Sequence, residues 1–166
     1  MLTRVAIFAC IVAVCLASDA ERVSDQEFTQ QWRGEQKHHE RLASEPTPRQ
    51  WQADAIWRFV TAPSPGKAKL EVLTFRVTDQ VGVSCLAGWK DVWRKLVVLE
   101  GHVAFGSPTY QVEGRALQIN LSGDMCDAYD FIRGVLTDGK FEGERTRFGL
   151  GSPTEVVGTV RGSLVQ

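Results

Sequence analysis

The sequence lacks the short motifs that mark common enzymes. It contains no Gly-x-Ser-x-Gly, no His-Glu-x-x-His and no phosphate-binding loop, the patterns that place a serine nucleophile, a zinc ion or a nucleotide phosphate. It also lacks a surplus of either charge, since 19 basic residues stand against 20 acidic ones. Balanced charge does not favour nucleic acid or an anionic membrane surface. These absences predict a protein that is not an enzyme, uses no cofactor and binds no nucleic acid.

The longest apolar run is too short to span a membrane. "VAIFACIVAVCLA", residues 5–17, is about 13 residues long, whereas a membrane-spanning helix needs ~20. Arg4 precedes the run and small residues follow it, which is the pattern of a cleaved signal peptide. Cleavage after Ala17 and cleavage after Ala20 both fit. We therefore expect residues 1–20 to be a signal peptide and the mature protein to be secreted or periplasmic, with a lipid anchor on Cys15 as the less favoured alternative because Val14 precedes it.

Cysteine is scarce enough to determine its own pairing. Of the four cysteines, Cys10 and Cys15 belong to the signal peptide, which leaves Cys85 and Cys126 in a compartment where disulfides persist. Two cysteines allow one connectivity. Neither has a second cysteine or a histidine at metal-ligand spacing. A disulfide is therefore predicted rather than a metal site, with the Cα atoms about 4.4–6.8 Å apart.

Residues 21–46 are expected to form an N-terminal helix and a linker. "SDQE" at residues 24–27 is a capping box, and apolar residues then recur at roughly helical spacing up to Leu42. The apolar stripe is thin, so residues 25–43 are predicted to form a surface helix that adds little to the core. Pro48 predicts the start of a second, short helix at about residue 47.

Residues 47–166 have the pattern of a single antiparallel β-barrel domain. Short apolar or alternating runs follow one another, divided by glycine-containing turns and with no helix between them, which predicts a meander. About nine strands are expected, and a meander of that size curls or closes on itself. The runs are residues 56–61, 70–78, 82–87, 94–100, 109–112, 116–122, 129–137, 141–150 and 155–165.

"TPRQWQADAIWRFV", residues 47–60, resembles the beginning of a lipocalin-type barrel. In that family a short helix crosses the bottom of the barrel and a Gly-x-Trp begins the first strand. Trp57 matches this tryptophan, and Ala55 stands where the family has its glycine. The resemblance implies a small secreted, lipocalin-like (calycin-type) barrel that binds a ligand inside rather than a catalyst, although a fold does not establish a function.

Asp138-Gly139 is the strongest hairpin signal in the chain, because this dipeptide favours a two-residue type I′ turn. Such a turn determines which residues of the two strands face each other. The predicted pairs are Leu136 with Phe141, Arg133 with Glu144, Ile132 with Arg145 and Asp130 with Arg147. Arg133 and Glu144 would form an opposite-charge pair on the outer face, whereas Asp130, Arg145 and Arg147 would point into the barrel.

Three interpretations of Asp130, Arg145 and Arg147 stay open at this point. A buried, unpaired arginine is costly, so the first is an anion-recognising pocket, since guanidinium offers a planar fork to a carboxylate or phosphate. A bulge near residues 144–146 would instead reverse the phase and leave both arginines in water. The third is a structural Asp130–Arg147 ion pair. Arg145 has no obvious carboxylate partner in any of them.

A turn rich in tryptophan is the second candidate site. "CLAGWKDVWRK", residues 85–95, places Trp89 and Trp93 on either side of a predicted turn. The two rings could form an aromatic lip for a ligand or a partner, or they could simply cover the end of the barrel.

No metal site is predicted. His38 and His39 are adjacent and would point roughly 100° apart on a helix, which makes a shared metal difficult. Asp124 and Asp127, with Asp130, lack the glycine and the terminal glutamate of a calcium loop. Asn120 begins an Asn-Leu-Ser glycosylation sequon.

Two functions are compatible with these patterns. The first is a secreted or periplasmic, non-catalytic binding protein that holds a small anionic or amphiphilic molecule in the barrel. The second is a surface interaction module (an inhibitor, immunity or envelope-associated protein) that contacts an extracytoplasmic protein through the Trp89/Trp93 turn. An open interior of several hundred Å3 would favour the first. An interior filled by large side chains would favour the second, the side chains in question being Trp57, Phe75, Ile132 and Phe141.

Overall fold

A computed structural model describes residue 34, residue 37 and residues 40–65, 69–85 and 93–166. Residues 40–166 form a compact unit in which residues 40–44 are helical and eight strands follow among the described residues. The strands are β1 (Ile56–Pro63), β2 (Glu71–Val81), β3 (Arg94–Glu100), β4 (Thr109–Glu113), β5 (Ala116–Asn120), β6 (Ala128–Thr137), β7 (Lys140–Gly149) and β8 (Ser152–Leu164). Each strand pairs antiparallel with the next and β8 pairs with β1, so the meander closes into a barrel. The predicted fold class is confirmed, whereas the predicted signal peptide lies outside the described residues.

The predicted strand at residues 82–87 is wrong for its described part, because residues 82–85 follow β2 without joining the sheet. Gly82 passes so close to β4 that a Cβ on it would lie 2.6 Å from Cγ2 of Thr109. Beyond Gly82 the chain leaves the barrel wall, and Cys85 is bonded to Cys126 in the loop between β5 and β6. The barrel therefore has one strand fewer than the sequence pattern predicts.

One end of the barrel is closed by the segment before β1. The predicted second helix is wrong, since residues 49–54 form turns and bends. The first turn is closed where the Trp51 amide donates to the Pro48 carbonyl at 2.9 Å. The ring of Trp51 lies 5.3 Å from that of Trp57 and 5.3 Å from that of Tyr110. Trp57 in turn donates from Nε1 to the Gln50 carbonyl at 3.1 Å. Aromatic packing thus seals this end of the barrel.

Large side chains fill the barrel interior. The period-two alternation of the strands points them inward, and they pack into one cluster with Trp51 and Val160. Four of these side chains distinguish a filled interior from an open one. Each is at most 1% exposed, the four being Trp57, Phe75, Ile132 and Phe141. A ligand held deep inside the barrel is therefore not the arrangement that this fold offers.

The end of the N-terminal helix is docked on the barrel. The sequence pattern predicted a surface helix that adds little to the core, and it did not predict this contact. Leu42 is only 5% exposed. Its carbonyl accepts from the Arg115 amide at 2.9 Å, and the Arg115 guanidinium donates to Glu45 at 2.8 Å. Gly114 is what permits this contact, because a Cβ there would lie 2.1 Å from the Leu42 carbonyl oxygen.

The β6–β7 hairpin has the register that Asp138-Gly139 predicts. Leu136 faces Phe141, Arg133 faces Glu144, Ile132 faces Arg145 and Asp130 faces Arg147. The irregularity near Arg145 lies instead in the β7–β8 pairing, where Arg145 faces Gly158 and Thr146 faces Val156. The extra residue is Val157 on β8. Val156, which strict alternation from the buried Val160 would point inward, is consequently 49% exposed while Val157 is 8% exposed.

Candidate functional site

Four charged residues meet at the end of the barrel opposite Trp51, which we call the mouth. Glu71 begins β2, Asp130 lies near the start of β6, and Arg145 and Arg147 lie near the end of β7. Neighbouring antiparallel strands run in opposite directions, so these starts and ends come together at one rim. All four occupy positions of their strands that alternate toward the barrel interior. For Glu71 this follows from its pairing with the buried Thr61 of β1.

Arg145 is buried and fully engaged by carboxylates. Its side chain is 4% exposed, and Nε and Nη2 donate to the two carboxylate oxygens of Asp130 at 2.7 Å each. Nη1 donates to Glu71. Burial by itself would lower the pKa of Arg145, but the hydrogen bonds and charges of Asp130 and Glu71 outweigh it and leave the pKa above its ordinary value. Arg145 therefore acts as an internal counter-ion, with three of its five N–H donors already bonded to carboxylates.

Arg147 also bonds to Asp130, but its side chain lies at the solvent-exposed edge of the cluster. Its Nε donates to Oδ2 of Asp130 at 2.8 Å, and its side chain is 45% exposed. Because Nε is the nitrogen that bonds to Asp130, the two terminal nitrogens are the ones that can meet a ligand.

The structure thus corrects the assignment of the arginines in two ways. The bulge that would have placed both in water is absent from the β6–β7 pairing. The residue expected to lack a carboxylate, Arg145, is the better paired one, because Glu71 reaches it from β2. The structural ion pair predicted for Asp130 and Arg147 exists, but it is the more exposed part of a four-residue network.

A cleft of about 610 Å3 lies at the mouth. Arg145, Arg147 and Asp130 contribute to its polar wall, together with Asp127 and Glu155. Its apolar wall comes from the β3–β4 loop, from the residue that follows β5, from the β7–β8 turn and from the start of β8, through Val103, Phe105, Leu121, Leu150 and Pro153. The volume falls within the range of small-molecule sites, about 300–1,000 Å3.

An aromatic stack on the outer face of β6 and β7 reaches the rim of this cleft. The rings of Tyr129 and Phe148 are stacked 4.7 Å apart, and Phe131 lies 5.7 Å from Phe148 at an angle of 22°. Arg133 caps the stack, with its guanidinium 4.6 Å above the Phe131 ring. Burial is the main reason that the pKa of Arg133 is lowered, and the charge of Glu144 opposes it. Tyr129 and Phe148, at the other end of the stack, line the cleft.

The cleft wall at the β5–β6 loop is held by a buried polar network. Asn120 is fully buried, and its Nδ2 donates to Ser84 Oγ at 3.2 Å and to the Gly123 carbonyl at 3.0 Å. Ser122 Oγ accepts from the Asp130 amide at 2.9 Å. The Asn120 sequon is therefore inaccessible in the folded protein. Beside it the predicted disulfide is confirmed, with the Cα atoms of Cys85 and Cys126 5.2 Å apart.

Of the two predicted lip residues, the structure describes Trp93. Trp93 is 3% exposed and does not line the cleft, which favours the alternative in which it covers the end of the barrel; its role as a ligand contact stays a prediction. Trp89 lies outside the described residues, as do His38 and His39.

The described residues contain no group of three or more metal-ligating side chains. Of the aspartates once considered for calcium, Asp130 is bonded to the two guanidinium groups. The Asp124 side chain instead lies beside Gly106 in the β3–β4 loop.

Sequence reasoning missed Glu71, Tyr129 and Phe148. Glu71 gave a usable signal, since a charged residue opens a strand whose other odd positions, Leu73, Phe75 and Val77, are apolar and inward. Tyr129 and Phe148 could have been found from the hairpin register alone, because they face each other directly.

Compared with models of known protein families, with curated proteins and with solved structures, the chain matches none. Within the described residues no helix is both long and apolar enough to cross a bilayer.

Proposed function

We propose that this chain is a secreted or periplasmic, non-catalytic binding protein that holds a small amphiphilic molecule at the mouth of a lipocalin-like barrel. The observation that carries the proposal is the mouth cleft itself, in which a charged network and an apolar wall face the same space. The packed interior supports a ligand position at the mouth rather than inside. The Cys85–Cys126 disulfide is compatible with an oxidising compartment.

The rigidity of the cleft supports binding without a large rearrangement. Asp130 is tied through its amide to Ser122 and through its carboxylate to Arg145 and Arg147. The disulfide pins the loop that carries Ser122 and Asp127. A site whose polar groups are already fixed by neighbouring contacts loses less entropy when it binds.

Native mass spectrometry of the protein purified from its own host tests the proposal. We expect a co-purifying small molecule, and we expect Ala104→Trp to lose it, because Ala104 lines the cleft and an indole there would fill it. Ala53→Trp is the matched control, since Ala53 is also exposed but lies at the closed end. An unliganded wild-type protein, or retention of the molecule by Ala104→Trp, would contradict the proposal.

The filled interior favours a second candidate, the surface interaction module. On this proposal the chain binds an extracytoplasmic protein, and the mouth cleft has no ligand. The same purification distinguishes the two, because it would then yield a protein complex that Ala104→Trp leaves intact.

A further inference from the structure

The chemistry of the mouth cleft narrows the ligand further, on the basis of the function proposed above. Arg145 is not the anion contact of this site, because three of its five N–H donors already bond to Asp130 and Glu71 and its side chain is only 4% exposed. Arg147 is half-exposed, lines the cleft and uses only Nε on Asp130. The anion contact of this site would therefore be the fork of terminal nitrogens on Arg147, which matches two oxygens of one acidic group.

The rim beside Arg147 is suited to a flat ring. Tyr129 and Phe148 are stacked at 24° and line the cleft, and Phe131 continues the stack away from it at 9° to Tyr129. The guanidinium of Arg133 covers the ring of Phe131. Tyr129 and Phe148 are the two rings of this group that line the cleft, so a planar group in the cleft can pack against them in an offset arrangement.

The acidic residues of the cleft limit the charge of the ligand. Asp127 lines the same space as Arg147, and Asp130 and Glu71 balance the two arginines of the network. A dianion would meet more repulsion than one guanidinium fork offsets, because like charges at short range disfavour each other. We infer that the cleft binds an aromatic monoanion, an arene that bears one carboxylate or sulfonate, with the anion on Arg147 and the ring against Tyr129 and Phe148.

Two dyes that differ by one sulfonate test the anion. Anilinonaphthalene sulfonate and its uncharged parent, phenylnaphthylamine, both fluoresce when they leave water, so each can be titrated into the folded full-length mature protein. We expect the sulfonate to bind at least about tenfold more tightly than the neutral dye, the factor that one hydrogen bond to a charged group provides. Near-ultraviolet circular dichroism confirms that each variant is folded before titration.

The variants separate Arg147 from general positive charge. Arg147→Gln should bring the sulfonate to the affinity of the neutral dye and leave the neutral dye unchanged. Arg133→Gln removes an arginine from the same hairpin that does not line the cleft, and it should leave the affinity ratio as it is. Phe148→Leu should weaken both dyes several-fold, and dodecanoate, an aliphatic monoanion, should compete less well than naphthoate.

Each experimental result tests a different part of the inference. Equal affinity for the two dyes, or a ratio that survives Arg147→Gln, overturns the anion assignment and leaves the binding function standing. Dodecanoate competing as well as naphthoate overturns the aromatic part. Dye binding that is undiminished in Ala104→Trp places the dye elsewhere and overturns the whole inference. If neither dye binds the wild type and no small molecule co-purifies from the host, the inference and the binding function fail together.

Discussion

Asp130 holds Arg145 with both of its carboxylate oxygens, at 2.7 Å from Nε and 2.7 Å from Nη2. The two residues lie on adjacent strands but are not directly paired, since Asp130 faces Arg147 and Arg145 faces Ile132. Arg145 therefore reaches diagonally across the hairpin, and Asp130 accepts from both arginines at once. The guanidinium charge of Arg145 lies at a position that is only 4% exposed, where an unpaired charge would be destabilising. The bidentate contact with Asp130 neutralises it.

The first prediction compares the two carboxylates that hold Arg145. Asp130→Asn leaves the buried guanidinium with only the half-exposed Glu71, and we expect a loss of about 3–5 kcal/mol in the free energy of unfolding. Glu71→Gln is the matched amide control, and since Glu71 is 45% exposed, solvent screening should limit its loss to about 1 kcal/mol. Urea denaturation measures both variants. Equal losses would show that Asp130 is not the principal partner.

The second prediction concerns the two arginines. Arg145→Ala strips the mostly buried Asp130 of two of its three hydrogen bonds, and it should cost more than about 2 kcal/mol. Arg147→Ala removes a half-exposed side chain, and it should stay within about 1 kcal/mol. Chemical denaturation again provides the comparison. The opposite order, with Arg147 the more costly loss, would contradict the burial of Arg145.

The third prediction concerns the docked end of the N-terminal helix. Leu42 is 5% exposed, so Leu42→Ala should lower the stability by about 2–5 kcal/mol, as for other buried leucines. Leu70→Ala is the control, because Leu70 is 55% exposed and should change the stability by no more than about 0.5 kcal/mol. Thermal unfolding of the two variants distinguishes a docked helix end from a loosely attached one, for which both changes would be small.

The fourth prediction uses two glycines with similar backbone angles. Gly114 and Gly139 have φ values of 55° and 68°, so alanine is strained at both by about 1–2 kcal/mol. At Gly139 the added methyl meets nothing within 4 Å, whereas at Gly114 it would lie 2.1 Å from the Leu42 carbonyl oxygen.

Gly114→Ala should therefore destabilise the fold clearly more than Gly139→Ala does. It should also expose the amides around Leu42 to hydrogen exchange. Similar stability losses for the two variants, with Leu42 still protected from exchange, would show that the helix end does not depend on this close approach.

The fifth prediction concerns the disulfide. Cys85 and Cys126 are separated by 41 positions, and closing a loop of that size stabilises a fold by about 3–4 kcal/mol in the chain-entropy account. Replacing both cysteines by serine should remove this amount. Because the bridge pins the β5–β6 loop, dye affinity at the mouth should fall as well, and an unchanged affinity would mean that the loop is held by Asn120 and Ser122 alone.

Some of these features could be predicted because they depend on neighbours in the chain. Asp138-Gly139 determined the β6–β7 register, since a two-residue turn leaves no freedom in how its strands face each other. Because Cys10 and Cys15 fall in the predicted signal peptide, a single pairing was left for Cys85 and Cys126, and the two are bonded. Alternating apolar residues determined the antiparallel barrel and most of its interior, Phe75, Ile132 and Phe141 among them.

Other features were decided only by the tertiary structure, because they depend on how the barrel closes. Glu71 reaches Arg145 from a strand 74 residues away, and no local pattern relates the two. The extra residue on β8 turns Val156 outward, although simple alternation points it inward. Burial of Trp93 and filling of the interior likewise depend on the packing of distant segments. Turn chemistry acts over a few residues, whereas the stagger of a closed barrel sets which side chains meet at its mouth, and that stagger is a property of all eight strands together.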